Sequence, residues 1–365
     1  MQNHLTVGVI GATGYTGGEL CRLLLGHPQV GDILPTARSG DLIERVHPNL
    51  LGSGLAFLPV DDLKQRVGDL DAVFVCMPSG EAMRLAPWFL GRGVRVIDLG
   101  ADFRFGDPYT YSDVYGIAHA APHLLSEAAY GITELYREDI AKAHLVANPG
   151  CYVITAVLAM APVLRAGWAD LDALVHINAV NGTTGAGSKP VRPIMHAQAL
   201  GSMLPYSLEG HRHGPELEAC LAEQARRDLS VDFNTAHGNF ARGIHAQVNL
   251  TVHPDHRHDM SRDKLLSLLK GFYGAGSDGE FFVRVVDGAK SGERNAKEYE
   301  VYPRLSGVIG SNFCHLGADY DSHRGIVKLL AVTDNLIKGA AGSAIQNMNV
   351  MLGLKETTAL TAYGL

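Results

Sequence analysis

The chain is poor in the features that mark stapled, membrane-spanning or nucleic-acid-binding proteins. It has five cysteines among 365 residues, at positions 21, 76, 151, 220 and 314, an odd and scattered set without a CxxC pair. That spacing argues against a zinc ribbon, a thioredoxin-type site and a disulfide framework. No stretch approaches the roughly 18 consecutive apolar residues of a membrane span, so no membrane partner is expected. Positive charge is in deficit, with 31 Lys and Arg against 38 Asp and Glu and a formal net charge of −7. Without a basic stripe to neutralise phosphates, no nucleic-acid partner is expected; local cationic pockets for a small anion stay open. The opening residues show no basic segment followed by an apolar signal core, which reads as a cytoplasmic protein.

Glycine, by contrast, is abundant: 42 residues, clustered between apolar runs as the tight strand–helix turns of an α/β fold require. Apolar strands are expected at 5–10, near 32–36, and at 71–76, 94–98 and 144–147, with a helix from Glu19 to about Gly26. Buried apolar strands interleaved with helices predict a Rossmann-like, doubly wound parallel sheet. A long apolar helix is expected from Cys151 to Leu164, with Asn148 and Pro149 as N-cap and first turn. Beyond it, 173–180, 246–252 and 281–286 alternate as strands of a mostly antiparallel sheet with helices on one face, making a second, α+β domain. Asn181–Lys189 and Asp287–Arg304 read as irregular loops. After a strand at 325–332, an apolar helix opens at Asp334 and is expected to pack back on the first domain. The domains are therefore expected at 1–150 with 333–365, and at 151–332.

Gly11, Gly14 and Gly17 form GxxGxxG between an N-terminal strand and a helix. There, with Thr13, Tyr15 and Thr16, backbone N–H groups can receive a pyrophosphate; the alternative is merely a tight turn. The next strand ends in Thr36-Ala37-Arg38-Ser39 rather than an acidic residue. Arg38 and Ser39 suit a 2′-phosphate, so NADP(H) is the expected cofactor. Ser79 and Arg104 lie in loops after strands, on the ligand edge of such a sheet. Cys151 stands where a helix dipole and unpaired N–H groups lower a thiol pKa, although a buried structural cysteine would suit the same apolar context. His211, Arg212 and His213 precede Glu216 at a helix start, either as an acid/base group with an orienting carboxylate or as surface histidines. Neither this cluster nor His253, His256 and His258 has the spacing of a metal site, and no metal is expected. Lys189, Arg192 and Arg242 add cations near the middle loops.

Taken together, GATGYTGGEL (11–20), IDLGADFR (97–104), ANPGCY (147–152), NGTTGAGSK (181–189), GHRHGPELE (210–218) and DNLIKGAAGSAIQNMN (334–349) resemble the N-acetyl-gamma-glutamyl-phosphate reductase family, within the aspartate-semialdehyde dehydrogenase-like superfamily. The segments span almost the whole chain. Two details depart from the usual family pattern: Ser188 stands where an Arg is ordinary, and Ser79 where a His is frequent. The resemblance implies a glyceraldehyde-phosphate-dehydrogenase-like catalytic domain and a homodimer or homotetramer. It also implies a small acyl-phosphate substrate reduced through a Cys151 thioester, with His213, or else His211, as acid/base. Lys189, Arg104, Arg212 and Glu216 are expected to serve the substrate; Gly11–Gly17, Arg38, Ser39, Ser79 and Asn335 are expected to serve the cofactor. The competing readings are a sister reductase of aminoadipyl or aspartyl phosphate, and a non-catalytic NADP(H)-binding sensor.

Overall fold

Six short, apolar strands build the first sheet of the computed structural model, which describes residues 4–274, 279–292 and 296–365. They are β1 (Leu5–Ile10), β2 (Val30–Pro35), β3 (Ala72–Val75), β4 (Arg95–Asp98), β5 (Ala128–Tyr130) and β6 (Leu145–Ala147). All pairs are parallel, in the order β2-β1-β3-β4-β6-β5. Val73 and Phe74, adjacent on β3, point to opposite faces, yet both are fully buried, as a sheet covered on both sides demands. The expected parallel sheet is present, with β5 added at its edge. β5 is too short and too little buried to announce itself in sequence. The helix expected from Glu19 instead runs Tyr15–Leu24, because Gly14 is its extended-backbone N-cap and the end of the glycine loop is its first turn.

The chain divides into two compact units, Met1–Gly150 with Ala340–Ala362, and Cys151–Gly339 with Tyr363–Leu365. The return to the first unit thus falls at 340 rather than 333. Thr333 still closes a strand of the second unit, and the side chains of Asp334 and Asn335 are spent on Arg242, Gly243, Gly310 and Thr184. The final helix correspondingly begins with a π-type turn at Ile337–Ala341 and becomes regular only at Gly342–Met351.

The second unit holds β7 (Val175–Asn181), β8 (Leu204–Tyr206), β9 (Val231–His237), β10 (Ile244–Thr251), β11 (Val283–Val285), β12 (Cys314–Asp321) and β13 (Ile326–Thr333). Their order is β11-β12-β13-β10-β7-β9-β8. Four pairings are antiparallel; β7–β9 and β11–β12 are parallel. β8, β9 and β12 were not expected from the sequence. Helices Cys151–Arg165, His213–Ala225 and Arg262–Tyr273 pack on this sheet. Tyr152 through Leu164 are all buried.

Register then decides what faces the start of the Cys151 helix. Thr333 pairs with Ile244, Ile244 with Asn181, and Asn181 with His237. Directly paired residues share a face. Thr333 bonds Thr155 of the Cys151 helix through their hydroxyls at 2.7 Å, which places this row on the helix-covered side. Thr155 also donates to the Cys151 carbonyl at 2.8 Å, so Thr333 is the donor of the hydroxyl pair.

In the 287–304 segment, residues 293–295 lie outside the described residues. Its remainder carries one short 3₁₀ turn, Tyr299–Val301, and Arg262 ties its two ends by donating to the carbonyls of Gly288 (3.1 Å) and Val301 (3.3 Å). Among the described residues no helix is long and apolar enough to cross a membrane.

Candidate active site

In the first unit the glycine loop is shaped by three close approaches. Gly11 has φ +82°, and a Cβ there would lie 2.4 Å from the Cys76 carbonyl oxygen. A Cβ on Gly17 would lie 2.6 Å from Ala12 Cα and 2.7 Å from the Gly11 carbonyl oxygen. The helix therefore starts hard against the strand–loop junction, with first-turn N–H groups that have no intrahelical acceptor. Thr13 and Tyr15 are exposed and Thr16 is half-buried. Thr36, at the end of the neighbouring strand, accepts the Gly11 N–H at 3.3 Å, and Arg38 and Ser39 beyond it are exposed. This cradle fits a dinucleotide pyrophosphate.

Ser79 is half-buried beside Gly80. Its loop is held by the buried Asp102 carboxylate, which accepts from Gly80 N (2.7 Å), Met83 N (2.9 Å) and the Tyr111 hydroxyl (2.7 Å). Burial, reinforced by Asp102, pushes neighbouring Asp98 up to about 7. Arg104 donates Nε to the Asn148 carbonyl (3.0 Å) and Nη2 to that of Leu99 (3.4 Å), so it braces the turn leading to Cys151. Asn148 is not the helix cap expected of it. Its amide donates to Ala340 O at 3.3 Å and accepts from Ser343 and Asn347, both at 3.1 Å, within the first unit.

In the second unit Cys151 is the first residue of its helix and partly exposed. Asn181 Nδ2 donates to its Sγ at 3.8 Å. A Cβ on Gly339 would meet Cys151 Cβ at 2.9 Å, so only glycine lets that turn pass. The Tyr152 and Tyr206 hydroxyls are 3.0 Å apart. Burial pushes both upward, and proximity to Cys151 adds to this, so they stay protonated. His237 stacks on Tyr206 with ring centroids 4.5 Å apart and planes 6° from parallel.

The two histidines of HRH meet here. His211 and His213 have ring centroids 4.8 Å apart, and both lie edge-on to Tyr152, at 5.6 and 6.0 Å. His211 is also flanked by Tyr206 and Phe233. Burial, then Arg212 and His237, push His211 down to about 4. Its Nδ1 accepts from the His213 backbone N–H at 3.0 Å, which fixes the neutral ring with its proton on Nε2. His213 is buried and opens the helix His213–Ala225; Glu216 is buried in that helix's first turn.

Other expected site residues are placed differently. Arg212, Lys189 and Arg192 are exposed. Asn335 belongs to the second unit rather than the first. It is buried in the second, where Oδ1 accepts from Gly243 N at 2.6 Å and Nδ2 donates to Thr184 at 3.0 Å, so both ends of its amide are already occupied. Beside it Arg242 makes a forked pair with fully buried Asp334, Nε–Oδ2 3.0 Å and Nη2–Oδ1 3.1 Å.

Asn181, Tyr206 and His237 were missed in the sequence. A signal for Asn181 was there: Val175, Ile177 and Ala179 occupy the core-facing positions of β7, and Asn181 is the next in that series. A polar residue where alternation calls for an apolar one has a partner to meet.

Comparison with known proteins agrees with this architecture. Residues 6–143 match the family model "Semialdehyde dehydrogenase, NAD binding domain", and residues 151–335 match "Semialdehyde dehydrogenase, dimerisation domain". The chain is 39% identical to an N-acetyl-gamma-glutamyl-phosphate reductase of Methanopyrus kandleri, covering 99% of each chain. It is 39% identical to one of Symbiobacterium thermophilum, covering 99% of this chain and 98% of that one. A putative LysW-linked 2-aminoadipate or glutamate phosphate reductase of Nitrosopumilus maritimus is 38% identical, covering 98% of each. Among solved structures, aspartate semialdehyde dehydrogenase II of Vibrio cholerae shares the fold at TM-score 0.69 and 15% identity, covering 96% of this chain and 98% of that one. The chain belongs to the semialdehyde dehydrogenase family and, within it, to the N-acetyl-gamma-glutamyl-phosphate reductases.

Proposed function

We propose that this enzyme reduces N-acetyl-L-glutamyl 5-phosphate to N-acetyl-L-glutamate 5-semialdehyde and phosphate, with Cys151 as nucleophile and NADPH as reductant. The observation that carries the reading is Cys151 at the first position of a buried helix, its sulfur met by the Asn181 amide. The thiolate attacks the acyl carbon, the bond to phosphate breaks, and a thioester forms. First-turn N–H groups of the Cys151 helix receive the developing oxyanion. Bound NADPH supplies the hydride that reduces the thioester carbonyl. His213 protonates the alkoxide that hydride addition leaves and takes the proton back as the C–S bond breaks, so that the aldehyde departs and sulfur returns as the thiolate. His211, held neutral in one tautomer, orients the site instead of carrying that proton. Lys189, Arg104 and Arg212 are the cations assigned to the charged substrate, and Glu216 acts indirectly through the helix that His213 opens. The assembly is a homodimer or homotetramer, in keeping with the matched dimerisation domain.

Purified chain, assayed in the reverse direction with phosphate and NADP⁺, is expected to oxidise N-acetylglutamate semialdehyde far faster than aspartate semialdehyde or carrier-linked aminoadipate semialdehyde. Preference for either of the last two would overturn the substrate assignment. His213→Asn should lower kcat on the order of 10²–10⁴-fold and abolish the titration that governs kcat/KM. His211→Asn should leave the shape of that profile between about pH 5 and 8 intact, because a ring with pKa about 4 is neutral throughout. The opposite pattern would exchange the two roles.

The cofactor preference has its own test. Arg38→Glu should raise KM for NADPH about tenfold or more while leaving NADH nearly unaffected, since a 2′-phosphate loses its cation and gains a repelling charge. Equal effects on both cofactors would show that Arg38 does not read the 2′ position.

A further inference from the structure

We propose that Asn181 is a further catalytic residue, whose side-chain amide donates a hydrogen bond to the Cys151 sulfur and holds it as the thiolate. This rests on the reading of Cys151 as nucleophile and names a group that serves it.

Asn181 ends β7 on the helix-covered face and is 2% exposed. Its Nδ2 lies 3.8 Å from Cys151 Sγ. Its Oδ1 has no hydrogen-bond partner among the described residues. A buried carbonyl left unpaired is costly, and it marks an amide whose orientation is set by what the nitrogen must reach. The reversed amide would present an acceptor to the sulfur and favour the S–H form.

The surroundings hold the amide in place. A Cβ on Gly185 would lie 2.2 Å from Nδ2, so the glycine loop closes directly over the side chain. The Asn181 carbonyl accepts from Gly238 N, and Gly182 N donates to the Gly243 carbonyl, both at 2.8 Å, which pins the strand end on either side. The neighbouring hydroxyls of Tyr152 and Tyr206 remain protonated and add no negative charge beside the sulfur.

The donor acts twice in the cycle. In the resting enzyme it stabilises the lone pair that attacks the acyl carbon. In the thioester the sulfur is neutral and the bond weakens. When hydride has added and the C–S bond breaks, the electron pair returns to sulfur and meets the same N–H.

The test is the pH dependence of iodoacetamide alkylation of Cys151 in the full chain, read peptide by peptide by mass spectrometry. Asn181→Leu removes the donor at similar volume, and Asn181→Asp keeps the shape while replacing donor by carboxylate. The alkylation midpoint should rise by about one pH unit in the first and further in the second. Turnover of Asn181→Leu should fall about tenfold at neutral pH and recover toward alkaline pH as the thiol ionises. An unshifted midpoint in either folded variant, or a turnover loss equal at every pH, overturns the proposal. Alkylation needs no substrate, so a wrong acyl-phosphate assignment would leave this measurement unaffected, whereas normal turnover without Cys151 would remove the reading it rests on.

Discussion

Cys151→Ser should lose turnover by on the order of 10⁴-fold or more while still binding NADPH. Serine fits at the first helical position, so the fold is kept. Its hydroxyl, however, is barely ionised near neutrality, and neither the Asn181 amide nor the helix dipole offsets that difference. The glycine loop belongs to the other compact unit, so a change at 151 leaves its first-turn N–H groups as they were. Rapid-quench measurement of the first turnover separates the steps. The native enzyme should release phosphate in a burst as the thioester forms, and the variant should show none. A variant with near-normal turnover would end the assignment of Cys151 as nucleophile.

Asp334→Ala is the substitution with the largest expected cost to stability, about 3–5 kcal/mol. Asp334 is fully buried and receives the forked Arg242 guanidinium. It also accepts backbone N–H groups from Gly310 (2.8 Å), Leu336 (2.9 Å) and Ile337 (3.2 Å). Alanine leaves a half-buried cation and these donors without their acceptor. The Asp334 carbonyl accepts Gly339 N at 2.9 Å, and Gly339 is the residue packed against Cys151 Cβ. The variant should therefore lose activity along with stability. Urea unfolding measures the first effect; a midpoint equal to that of the native protein would refute this account of the knot. Asp334→Asn retains an acceptor and should cost less.

The parts of this structure that repeat a period could be read in the sequence. β1, β3, β4 and β6 are runs of buried apolar residues beside glycine turns, and the Cys151 helix is apolar throughout. β5 and β8, at three residues each, have no period to detect. Site residues carried by motifs were visible too: Cys151, His211, His213 and the glycine loop. Those supplied by register were not. Asn181 and His237 become neighbours only because β7 and β9 pair in parallel, a choice made by the whole sheet. Asn335 shows how a unit boundary escapes the sequence. Its sequence neighbourhood suggested the cofactor unit, but its buried amide found complementary partners at Gly243 and Thr184, and a satisfied buried amide has little reason to be elsewhere.

The helix beginning at Cys151 has thirteen consecutive buried residues, Tyr152–Leu164. Its amides should be among the slowest in the chain to exchange with solvent deuterium, because exposing them requires the second unit to open as a whole. Loss of the reactive thiol on heating should then coincide with cooperative melting of that unit. No softened, partly active form would precede it: the nucleophile is anchored to the part of the protein that yields last.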